Sequence, residues 1–79
     1  MEKTASNFYK VEVHSFNGSF EDEEYYFREL NDANDFVVAD YRDYTGNDWE
    51  DEVRDSLREN GAYKDDDVSY EIFNCFFKK

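Results

Sequence analysis

Residues 7–16 read NFYKVEVHSF and are followed directly by Asn17-Gly18. Tyr9, Val11 and Val13 alternate with a second set of side chains that is mostly charged or polar, and this period of two is typical of a strand with one buried face. The Asn-Gly dipeptide is common in tight turns and ends the strand. We therefore expect the fold to begin with a sheet strand.

The acidic segment after this turn, residues 20–30, has two interpretations. Its run of four acids favours a helix, because negative charge near a helix N-terminus interacts favourably with the helix dipole. Such a helix would place Phe20, Phe27 and Leu30 on one face. The alternative is a hairpin, with a second strand near residues 25–27. We predict the helix.

The remaining chain predicts a strand, a helix and a strand. Residues 36–41 read FVVADY, are rich in β-forming residues and are bounded by turn residues, so they predict a strand. Residues 47–60 predict a helix, because Trp49, Val53 and Leu57 recur every four residues. Residues 68–77 alternate as a final strand would.

Together these elements predict the order βαβαβ. The fold class that fits this order is α+β, with two helices and a three-stranded, mainly antiparallel sheet. A chain of 79 residues is the size of one small domain, so we expect residues 1–79 to fold as a unit. Aromatic residues make up 20% of the chain, whereas disordered segments are poor in them, and this content predicts a packed core.

The chain carries a formal net charge of −12. Of its 21 acidic side chains, all but Glu2 lie between residues 11 and 77, whereas Lys3, Lys10, Lys78 and Lys79 lie outside that span. Net charge bears on solubility and on the choice of partner rather than on fold. The acidity therefore disfavours direct binding of nucleic acid and of anionic membranes.

The sequence contains no recognisable catalytic or metal-binding motif. The single cysteine, Cys75, and the single histidine, His14, stand in no nucleophile or zinc-ligand pattern, and we expect both to be packed or rim side chains of strands. The acidic runs do not have the ligand spacing of an EF-hand calcium loop. We therefore expect no enzymatic activity, no cofactor and no metal site. With no signal peptide or membrane span visible, we expect a cytoplasmic location.

The acids fall into three clusters. A charge run taken alone is usually a solvated face. Three runs in one small domain with few basic residues are as consistent with one concerted negative surface as with acids that only confer solubility. The candidate partner-binding residues are Glu21, Asp22, Glu23, Glu24, Asp48, Glu50, Asp51, Glu52, Asp55, Glu59, Asp65, Asp66 and Asp67.

In size, acidity and aromatic content, and in these clusters, the chain resembles the small acidic DNA-mimic proteins of phages and mobile elements. That class includes anti-CRISPR, anti-restriction and uracil-glycosylase inhibitor proteins. The resemblance implies that the acids imitate a phosphate backbone and block the basic nucleic-acid channel of a partner in the host cytoplasm. The partner would be a nuclease or a CRISPR effector complex, and the latter is the preferred expectation.

The alternative function is an interaction module without mimicry, such as an antitoxin-like protein or a regulatory subunit. In that case an aromatic patch would supply the affinity, and a rim of acids would set the rate of association.

Overall fold

A computed structural model describes residues 7–76. The elements follow one another in the order ββααββ: β1 Asn7–Ser15, β2 Glu23–Phe27, α1 Leu30–Thr45, α2 Glu50–Asn60, β3 Ala62–Lys64 and β4 Val68–Phe76. The strands form one antiparallel sheet in the order β2-β1-β4-β3. The fold is α+β with two helices, as expected, but the sheet has four strands rather than three.

Both helices pack on one face of the sheet, which we call the inner face. Val11 and Val13 of β1 lie opposite Ile72 and Tyr70 of β4, so alternate residues of both strands point into the same layer. Val11, Val13 and Tyr70 are completely or almost completely buried there. Buried residues of both helices, among them Val37 of α1, complete a single core with them. The opposite face of the sheet, the outer face, is covered by neither helix.

The predicted helix over residues 20–30 is wrong, and the hairpin alternative is confirmed. β2 pairs with β1, placing Tyr25 opposite Val11 and Phe27 opposite Tyr9. The rings of Tyr25 and Phe27 both contact Phe36, with centroids 4.5 and 5.4 Å away. Alternate positions of the strand place both aromatic side chains against the core, where they are half-buried. Burial of two aromatic side chains outweighs the dipole interaction that favoured the helix.

The predicted strand over residues 36–41 is also wrong, because this segment is the middle of α1. Ala33, Val37 and Tyr41 recur every four residues and are buried on one helical face, beside Val38. The polar residues before them, which were expected to bound a strand, form the first turn of the helix. The β-forming tendency of two adjacent valines is weak compared with burial of this face.

The predictions of α2 and β4 are confirmed. α2 starts three residues later than predicted, and its Val53 and Leu57 are buried, whereas Trp49 precedes the helix and is 43% exposed. β4 covers the predicted strand from its first residue to Phe76, and residue 77 lies outside the described part of the chain. The missed strand, β3, has three residues and pairs with β4, and it is too short to give a periodic pattern.

The fold predicts that two leucine-to-alanine substitutions have unequal effects. Leu57 is 6% exposed in the core, whereas Leu30, the first residue of α1, is 44% exposed. We expect Leu57→Ala to lower the free energy of unfolding by about 2–5 kcal/mol, and Leu30→Ala to lower it by less than half as much. Urea denaturation followed by circular dichroism measures both. Equal losses would instead favour a helix over residues 20–30 that buries Leu30.

Candidate functional site

Three segments of the chain meet at one end of the domain. The amide of Asn17 in the β1–β2 loop donates to the hydroxyl of Tyr44 in α1, at 3.4 Å, and to Asp67 Oδ1 in the β3–β4 turn, at 3.3 Å. The backbone N–H of Phe16 donates to the carbonyl of Asp67 at 2.8 Å. The ring of Phe20 contacts the ring of Tyr44, with centroids 6.0 Å apart. The β1–β2 loop, the C-terminal end of α1 and the β3–β4 turn therefore form one surface.

The start of α2 follows this surface closely in the chain. α1 is capped by Gly46, whose φ of 77° is a left-handed conformation that glycine adopts without strain. Only residues 47–49 lie between Gly46 and Glu50, so the first turn of α2 begins at most about 14 Å from the end of α1. Asp48 Oδ1 accepts the N–H of Glu50 at 3.1 Å and holds this connection.

We call this surface the acidic end. It is defined by the acids in and next to these connected segments, which include eleven of the thirteen candidate residues and two acids of α1. The predicted members are Glu21, Asp22, Glu23, Glu24, Asp48, Glu50, Asp51, Glu52, Asp65, Asp66 and Asp67, and the added ones are Asp40 and Asp43.

Two candidate residues do not belong to the acidic end. Asp55 and Glu59 are exposed, but they lie further along α2 as it runs away from that end. At 1.5 Å per residue, Glu59 is about 14 Å along the helix axis from Glu50, the first residue of α2. Asp55 also forms an ion pair with Arg58 at 2.6 Å. The predicted ridge on α2 is therefore only partly in the acidic end.

Asp22 and Glu24 lie at the border of the acidic end with the outer face of the sheet. Glu24 pairs with Glu12 of β1, whose side chain points to that face. Asp22 Oδ2 is 3.0 Å from His14 Nδ1. The hydrogen bond to Asp22 raises the pKa of His14, and the hydrogen bond to Glu12 adds to this, while partial burial opposes both.

Tyrosine hydroxyls hold several of the acids in place. The hydroxyl of Tyr41 donates to Asp65 Oδ2 at 2.6 Å, and that of Tyr70 donates to Asp40 Oδ2 at 2.8 Å. Burial raises the pKa of both tyrosines, and the neighbouring carboxylates raise it further, so both hydroxyls remain protonated donors. A neutral donor fixes a carboxylate without cancelling its charge.

Asp65 also builds the β3–β4 turn. Its Oδ1 accepts the backbone N–H groups of Asp67 at 2.7 Å and of Val68 at 2.9 Å. Burial raises the pKa of Asp65, but the hydrogen bonds from Tyr41 and from the two backbone N–H groups outweigh it, and the pKa lies below its ordinary value. Asp65 is therefore a structural residue as well as a source of charge.

Few cations balance the acidic end. Within residues 7–76, ion pairs join its acids to His14, which pairs with Asp22, and to Arg54, which pairs with Glu50 at 2.7 Å. Its other acids form no ion pair inside the described part of the chain. The Debye length is about 10 Å at 0.1 M salt, so neighbouring carboxylates here act together on an approaching ion or protein.

A small cleft opens in the acidic end. It is lined by Phe20, Glu23, Asp40, Asp43 and Tyr44. Glu23 accepts the hydroxyl of Tyr25, and Asp40 accepts that of Tyr70, so both carboxylates have fixed orientations. Two aromatic side chains beside three carboxylates form a site that suits the guanidinium or ammonium group of a basic side chain. Sequence reasoning missed Asp40 and Asp43, because both fall outside the acidic runs.

Neither helix in residues 7–76 has the length and apolar character needed to cross a membrane. Comparison of the chain with protein-family models, with curated proteins and with solved structures finds no match in any of the three. The interpretation of the acidic end therefore rests on its geometry and its charge.

We predict that Asp65→Asn destabilises the fold in a pH-dependent way. A carboxyl with a depressed folded pKa stabilises the fold above its unfolded pKa and loses this effect as the pH falls through the folded value. At pH 7 we expect the variant to lose about 1–3 kcal/mol of unfolding free energy. The difference should shrink as the pH falls below 3.8, the ordinary value for aspartate.

Asp66→Asn is the matched control for this prediction, since Asp66 is exposed in the same turn. Urea denaturation of the wild type and both variants, from pH 7 down to pH 2, measures the differences. An Asp65→Asn deficit that stays constant over this range would contradict the assignment of the carboxylate as the stabilising group.

Proposed function

We propose that this protein is a binding inhibitor whose acidic end occupies the basic nucleic-acid-binding channel of a partner protein. The observation that carries the proposal is the convergence of three acidic segments on one surface with few ion pairs. Following the resemblance to DNA-mimic inhibitors, a CRISPR effector complex is the first partner to test, and a nuclease is the second.

The spacing of charge supports mimicry by the whole surface rather than by one helix. A DNA strand presents one phosphate per about 3.4 Å of axis. Acids that follow one ridge of a helix are about 5–6 Å apart, so α2 alone is roughly half as dense. The β1–β2 loop and the β3–β4 turn add further carboxylates, and Asp43 adds one from α1. A channel lined with Arg and Lys would meet charge from all of these elements at once.

Capture from a cell lysate tests the proposal. The immobilised chain should retain nucleic-acid-binding proteins at about 0.05 M salt and release them by about 0.5 M, because electrostatic association is screened by salt. Duplex DNA added at low salt should also release them, since it competes for the same channel. A retained partner that resists both salt and DNA would overturn the proposal.

Two triple variants locate the binding surface. The first triple variant neutralises three exposed acids of the acidic end through Asp51→Asn, Glu52→Gln and Asp66→Asn. The matched control combines Glu29→Gln, Asp32→Asn and Glu59→Gln, which make the same change in charge near the opposite ends of the helices. Its positions are equally exposed, and both sets include first-turn acids.

With each exposed charge contributing about 0.2–1 kcal/mol, the first triple variant should bind the captured partner roughly tenfold more weakly at low salt. The control should lose less than threefold, as measured by surface plasmon resonance. Equal losses would mean that only net charge matters, and they would contradict a localised site.

A second candidate function, the interaction module, is favoured by a different surface. On the outer face of the sheet, Tyr26 is 60% exposed and Phe73 is 40% exposed. The ring of Tyr26 lies 6.0 Å from that of Phe8, between centroids. These rings lie towards the end of the sheet opposite the acidic end. Aromatic side chains of this kind contribute strongly to protein interfaces.

The double variant Tyr26→Ser, Phe73→Ser separates the two functions. An inhibitor that binds through its acidic end should keep its affinity for the captured partner to within threefold. A loss of affinity of tenfold or more, together with binding that persists at about 0.5 M salt, would favour the interaction module.

A further inference from the structure

A row of three carboxylates crosses the outer face of the sheet. Glu12 of β1 lies opposite Glu24 of β2 on one side and opposite Glu71 of β4 on the other. Like charges placed directly opposite each other destabilise a sheet. Lys10 offsets part of this repulsion, since its Nζ is 2.9 Å from Glu12 Oε2. Within residues 7–76, neither Glu24 nor Glu71 forms an ion pair.

His14 stands next to this row on the same face. Its Nε2 is 3.3 Å from Glu12 Oε1. Ligand atoms of Glu12, His14 and Glu71 all lie within 4.8 Å of one another, and all three residues are half-buried. One nitrogen and two oxygen donors therefore lie close enough together to share one ion.

The spacing fits a tetrahedral zinc ion. Bonds of about 2.0–2.2 Å from zinc to nitrogen and oxygen place adjacent ligand atoms about 3.3–3.5 Å apart. The distance of 3.3 Å between His14 Nε2 and Glu12 Oε1 meets this value. Glu71 would approach by a small rotation of its half-exposed side chain. Calcium and magnesium prefer oxygen ligands alone, whereas a set with imidazole suits zinc.

A second, independent observation concerns the other nitrogen of the histidine. His14 Nδ1 is 3.0 Å from Asp22 Oδ2, and Asp22 lies outside the group of three. A metal-ligating histidine typically donates its second N–H to a carboxylate, which fixes the tautomer and the ring orientation and leaves Nε2 for the metal. Lys10 similarly occupies one oxygen of Glu12 and leaves Oε1 facing His14.

We propose that Glu12, His14 and Glu71 bind one zinc ion on the outer face of the sheet, with Asp22 as the positioning residue of His14. The fourth position of the tetrahedron is open to water or to a donor from another molecule. The site shares Asp22 with the acidic end, but it needs neither the cleft nor the first turn of α2, so it does not depend on the proposed inhibitor function.

Calorimetric titration of the full chain with zinc chloride tests this proposal. At about 0.3 M sodium chloride, which suppresses diffuse cation binding to a chain of this charge, we expect one zinc ion per chain. His14→Gln and Glu71→Gln should each weaken binding at least tenfold. Asp22→Asn should weaken it about 10–100-fold, as is typical when the partner of a ligating histidine is lost.

Asp66→Asn and Glu59→Gln are the controls, since they remove the same charge as Asp22→Asn and Glu71→Gln at exposed positions outside the site. Both controls should bind zinc within threefold of the wild type. Circular dichroism checks that each variant is folded. A thermal scan adds a second readout, because zinc should raise the melting temperature of the wild type but not that of His14→Gln.

Absence of stoichiometric zinc binding to the wild type would overturn the proposal. Equal binding by His14→Gln and Asp66→Asn would also overturn it, because the zinc would then be held by net charge alone. Magnesium chloride titrated under the same conditions should show no one-to-one binding, and equal affinity for magnesium would contradict a site built around an imidazole.

Discussion

The hydrogen bonds from buried tyrosine hydroxyls to carboxylates are the constraint on which the rest of this structure depends. Tyr41 and Tyr70 belong to the core, yet their hydroxyls hold Asp65 and Asp40 at its border. An acidic protein with few basic residues cannot hold its acids in place mainly with ion pairs. Neutral donors solve this problem, because they fix carboxylates and leave the negative charge in place.

The same constraint connects the core to the acidic end. Tyr41 is buried in α1 and binds the β3–β4 turn, and Tyr70 is buried in β4 and binds back to α1. The hydrophobic packing of α1 on the sheet therefore also sets the position of two carboxylates. Asn17 adds the β1–β2 loop to this arrangement. Packing and surface charge are thus coupled through a few polar contacts.

The sequence predicted an element correctly where its apolar residues were regularly spaced. It predicted an element wrongly where a local signal competed with contacts made elsewhere in the fold. β1, α2 and β4 follow from alternating or four-residue spacing. β2 was expected only as the alternative, because its acids favour a helix start locally, whereas its aromatic side chains are half-buried against Phe36 of the next element. Asp40 and Asp43 were missed because they fall outside the acidic runs, and their proximity to those runs exists only in space.

We propose that the acidic end is one localised surface that recognises basic groups. Nuclear magnetic resonance of the ¹⁵N-labelled chain, titrated with an arginine-rich peptide as a probe, tests it most directly. We predict that amide shifts concentrate in residues 20–24, 43–52 and 65–67. Shifts spread evenly over all exposed acids, or centred on Tyr26 and Phe73, would contradict the claim.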